Sequence, residues 1–243
     1  KIGLGGTTCT GSCDLNISTT ELAAMSGNKL IIGGSSNGDI YVNGVTQTTS
    51  TFTNGVELNV DAHLSGSKGA IIFEGSASSF STLTANAVDG VEVNVNLTTV
   101  TGALTLDGDS DNAVDTLSGN DNILFASGIT LTSAGDISMS AANGGMTAAG
   151  ALTLSATSGI TMTGALTGAG AIALTANSAI NLNSGISTSS GSLNINANSS
   201  ALSLGSGITL SSADALTLSA SSISSSGNLT LTSTGSTISV GSA

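Results

Sequence analysis

The chain has 243 residues, 39% of them hydrophobic but only 2% aromatic and 7% charged, which excludes a charge-rich disordered chain and disfavours an ordinary compact enzyme domain. Fifteen acids against three lysines, with no arginine, leave a net charge of −12, so nucleic acid would find no basic footprint. No run of 18 or more apolar residues exists, and no membrane-spanning helix is expected.

In chain order, the first candidate element is a short helix over Ser18 to Met25, with Ser18 or Thr20 as its cap and Glu21 near it. Residues 1–127 then carry irregular apolar beats: Leu30 to Ile32, Ile40 to Val42, Val56 to Val60, Ile71 to Phe73, Val91 to Val95 and Leu104 to Leu106. This portion reads as irregular β-helix or simply β-rich. Asn37-Gly38, Asn43-Gly44 and Asn54-Gly55 suit type I′ hairpin turns or corners between consecutive strands of a wide coil. An acidic loop follows, with Asp107, Asp109, Asp111, Asp115 and Asp121 among Gly, Ser and Asn.

Residues 128–243 are regular. Three apolar series interleave at 20 to 23 residues: Ile129, Leu152, Ile172, Leu193, Leu216, Ile238; Ile137, Ile160, Ile180, Leu202, Ile223; and Met146, Leu166, Ile186, Ile208, Leu229. Within each beat, apolar residues alternate with Thr, Ser or Asn, which is strand periodicity. Three strands per coil at one period predict an all-β parallel β-helix. The absence of proline fits strands that donate to a neighbour on both sides. At roughly 21 residues per coil, about eleven or twelve coils and a rod on the order of 55 Å are expected. Both termini fall within repeat-like text and offer no amphipathic helix or charged cap. The chain begins with Lys, so it reads as a processed chain or fragment, cut from a longer array or stacking end to end.

Gly3 to Gly5, Leu15 to Ile17, Glu21-Leu22, Ile31 to Gly34 and Gly38 to Val42, with later Ala-Leu-Thr-Leu-Ser-Ala phrases, resemble a recurrent unit of filamentous-haemagglutinin-like bacterial surface exoproteins. The resemblance implies secretion, a right-handed β-helix and a role in adhesion or as an extracellular filament, and it implies no catalytic residues. In a secreted chain, Cys9 and Cys13 would close a small local disulfide; a bond to another subunit is the alternative.

The acidic loop is the sharpest local chemistry. Alternate Asp residues can turn carboxylates toward one calcium ion, which takes about six to eight oxygens. The alternative is a solvated, Asx-rich turn. His63, near Asp61, reads as an ordinary outward or turn histidine. With no Trp and no Arg, a sugar-cleaving site is poorly provided, and the chain reads as no enzyme. Outward Thr153, Thr161, Ala173, Asn181, Asn194, Ser203, Thr209 and Thr217 would stack into polar ladders, either a plain solvated face or one suited to glycans, ice or a second rod. Expected partners are therefore copies of the chain or adjoining repeats end to end, and surface glycans. The expected location is extracellular or on a bacterial cell surface.

Overall fold

Three parallel sheets wind around one continuous apolar core in the computed structural model, which describes every residue except 7, 8, 10, 11, 47–50, 65, 66, 114–120 and 243. Among the described residues, the sheets hold eleven, nine and eight strands, with a separate pair formed by Ser26–Gly27 and Thr51–Phe52. The chain is a parallel β-helix.

The three apolar series each occupy one sheet. Ile129, Leu152, Ile172, Leu193, Leu216 and Ile238 are successive partners in the eight-stranded sheet. Ile137, Ile160, Ile180, Leu202 and Ile223 do the same in the nine-stranded sheet. In the eleven-stranded sheet Met146, Leu166 and Ile186 stack, but Ile186 then lies beside Leu210, while Ile208 pairs with Leu229. This slip spans two positions, so apolar side chains still point inward; a slip of one would have reversed the strand.

The rod has about nine turns rather than eleven or twelve. Early coils are long: Leu30 pairs Val56, 26 positions on, and Leu104 pairs Ile137, 33 positions on, whereas Ile160 pairs Ile180, 20 positions on. At about 4.8 Å per rung the stack is roughly 40 to 50 Å long. The Asn-Gly pairs are corners, not hairpins. Asn37-Gly38, for example, leads from Leu30–Gly34 in one sheet to Ile40–Asn43 in another. Gly55 has φ +81°, and a Cβ there would stand 2.1 Å from the Thr82 carbonyl oxygen of the next coil, so only glycine fits.

One end of the core carries a cap that the sequence did not lead us to expect. The helix Thr19–Ala24 begins with a capping box: the Ser18 N–H donates to Glu21 Oε2 at 2.8 Å and the Glu21 N–H to Ser18 Oγ at 3.3 Å. The helix buries Leu22 in the main core. On the rung farthest from it, Ile238 and Val240 are exposed. No helix among the described residues is long and apolar enough to cross a membrane.

Candidate functional site

The long coil between Leu104 and Ile137 carries the acidic loop, so these residues are an insertion at a corner of an otherwise regular ladder. Gly108 lets that corner close, since a Cβ there would lie 2.6 Å from the Asn122 carbonyl oxygen. The described acids separate into different tasks. Asp107 Oδ1 accepts from the Asp109 N–H at 3.1 Å, and Asp111 Oδ1 from the Ala113 N–H at 3.0 Å; both are Asx turns. Burial holds Asp107 above the ordinary carboxylate range, with repulsion by Asp109 adding to it against the Asp109 N–H.

Asp109 is fully buried, at 0% exposure. Its Oδ2 accepts from the Asn143 N–H at 2.9 Å and from Asn143 Nδ2 at 3.0 Å, while its Oδ1 meets no donor among the described residues. Asn122 Oδ1 is likewise buried without a donor among the described residues. Asp121 is buried beside it, and Asp115 lies outside the described residues. No three His, Cys, Asp or Glu side chains among the described residues gather closely enough to hold a metal.

His63 is more engaged than an ordinary turn histidine. Its Nδ1 lies 2.8 Å from Oδ2 of buried Asp89, and its Nε2 lies 3.6 Å from Asp111 Oδ2. It thus ties the acidic loop to the preceding coils. The signal was invisible in sequence because Asp89 is 26 residues away, and only the pitch of a long coil brings them together.

Cys9 and Cys13 are bonded to each other, with Cα atoms 5.4 Å apart. With Tyr41, Ala70 and Ile72 they form a second, small apolar cluster on the outer face of the eleven-stranded sheet. Beside it is a hollow of about 380 Å³, lined by Lys1, Asp39, Lys68, Glu74 and Glu92 among others. Sequence reasoning missed this hollow because its residues come from four separate stretches of chain.

The outward ladders follow the sequence reading. Thr130, Thr153, Ala173, Asn194, Thr217 and Ser239 are successive partners on one face. Thr105, Ser138, Thr161, Asn181 and Ser203 form another, and Thr209 pairs with Thr230 on the third. Against protein-family models, curated proteins and solved structures alike, the chain finds no match.

Proposed function

We propose that the chain is a non-catalytic, rod-like segment of a secreted bacterial surface protein, acting mechanically as a stalk or filament element with an adhesive role. The observation that carries this reading is the unbroken parallel ladder along all three faces. Each coil buries its apolar row on the coils above and below, so stability accumulates along the axis, as in other solenoids. The Cys9–Cys13 bond supports an oxidising location outside the cytosol. The scarcity of lysine, with none after Lys68, supports endurance among trypsin-like proteases. Antibody labelling of intact source cells tests the location: signal before permeabilisation is expected, and signal only afterwards would overturn it. Negative-stain microscopy of the purified chain should show straight rods or fibres.

A second reading adds a calcium ion at the acidic corner. Its support is the pair of buried acceptor oxygens, Asp109 Oδ1 and Asn122 Oδ1, that no donor among the described residues reaches; buried acceptors of this kind require a donor, a water or a cation. Calcium would then raise the melting temperature of the chain and not that of Asp109→Asn. Equal melting in calcium and in chelator would remove this reading.

A further inference from the structure

The chain has three lysines, and two of them, Lys1 and Lys68, line the hollow beside the disulfide loop. Its volume of about 380 Å³ falls at the small end of the range for small-molecule sites. Tyr41 and Ile72, partners in register, form a largely buried apolar floor, and Glu92 follows Ile72 on the next rung.

Asp39 organises one wall. Its Oδ1 accepts from Ser67 Oγ at 2.7 Å, the Lys68 N–H at 2.7 Å and the Ala70 N–H at 3.4 Å. Its Oδ2 lies 3.5 Å from the Tyr41 hydroxyl and 4.0 Å from Lys1 Nζ. Lys68 Nζ donates to Glu92 Oε1 at 2.5 Å. With these contacts made, one charge remains over. No hydrogen bond or ion pair from a described residue reaches the half-buried Glu74 carboxylate. Burial, and then repulsion by Glu92, holds it above the ordinary carboxylate range.

We propose that this hollow binds an amino sugar carrying a free, protonated amine, with the ammonium against Glu74 and the hydroxyls shared among Asn94, Glu92 and Lys68. The surplus of one carboxylate calls for one positive group. The remaining walls mix an amide, a carboxylate oxygen and ammonium protons, which suit hydroxyls because a hydroxyl both donates and accepts. A metal ion would compete with two lysines for the same oxygens. An acidic sugar would meet Glu74 and Glu92, and a simple amine would leave Asn94 and the Lys68 protons unmatched. The assignment goes beyond the rod reading and stands independently of where the protein resides.

Titration calorimetry at neutral pH with glucosamine, N-acetylglucosamine and n-butylamine tests it. Saturable binding of glucosamine is expected, weaker by about tenfold or more after N-acetylation, for n-butylamine, or in Glu74→Gln. Asn94→Ala, at an exposed position, should weaken binding by about threefold. Failure of glucosamine to saturate would overturn the proposal, as would equal affinity for N-acetylglucosamine or for n-butylamine. So would full affinity in Glu74→Gln with an unchanged melting curve. Should that variant fail to fold, the comparison of the three probes on the unaltered chain still decides.

Discussion

Leu154→Ala tests whether the vertical apolar stacks hold this rod together. Leu154 is fully buried, at 0% exposure, and sits in register between Leu131 and Leu174. Both neighbours are fixed by backbone ladders at about 4.8 Å per rung, so the coils cannot close over the missing isopropyl group. Leu→Ala changes in cores cost about 2 to 5 kcal/mol, more where the site cannot collapse, so about 3 to 4 kcal/mol is expected here. Val240, at 56% exposure on an outer rung, provides the control, and Val240→Ala should cost about 0.5 kcal/mol or less. Guanidinium unfolding followed by circular dichroism reads both numbers, or unfolding rates do if the transition is irreversible. Because solenoid energetics are nearest-neighbour, hydrogen exchange should quicken most in Ile129–Ser133 and Ile172–Ala176, and least in Leu30–Gly34. A cost below about 1 kcal/mol for Leu154→Ala, or equal costs for the two variants, would refute the stacking argument.

Asp107 has its proton affinity raised by burial, so the folded chain favours its neutral form. That contribution is fully present below the ordinary value of 3.8 and is lost as pH rises through the higher folded value. In chelator, Asp107→Asn should therefore melt higher than the parent at neutral pH, and the gain should vanish below pH 3.8 in thermal scans. Cys9→Ser with Cys13→Ser opens a very short loop, worth at most about 2 kcal/mol. Its cluster is separate from the main core, so exchange at Tyr41 and Ile72 should quicken while the main melting transition stays in place. Ser18→Ala removes the capping box and should loosen the helix Thr19–Ala24 by about 1 kcal/mol, read as faster exchange at Glu21 and Leu22.

The regular half was legible because the first large apolar residue of every strand is Ile, Leu or Met and recurs at a nearly constant period. The first half was less so. Ser78–Phe80 and Leu97–Thr99 are true strands, yet each carries one large apolar residue, and a buried Thr99 fills an inward position by donating to the Gly102 carbonyl at 2.6 Å. The coil count was overestimated because the period of the regular half was carried over to early coils that run 26 and 33 residues. The helix was placed correctly from Ser18 and Glu21. Its role as a cap was missed because one residue, Leu22, reaches the core. Of the candidate sites, the Cys9–Cys13 bond was one of two readings open to a secreted chain, the other being a bond to another subunit. The contact of His63 with Asp89, and the hollow around Glu74, depend on residues brought together by coil pitch, which composition cannot supply.

The distribution of charge along the rod has a consequence for bundles. Fourteen of the fifteen acids lie at or before Asp136, and because the coils stack in sequence order, the molecule is anionic along one half and nearly neutral along the other. Two copies laid side by side in the same sense would repel at one end and touch freely at the other, splaying like the tines of a fork. Laid in opposite senses and offset, they would overlap only through the neutral halves. Salt near 0.15 M shortens the reach of that repulsion to about 8 Å. Ionic strength would therefore choose between a staggered, open network and a tight parallel sheaf.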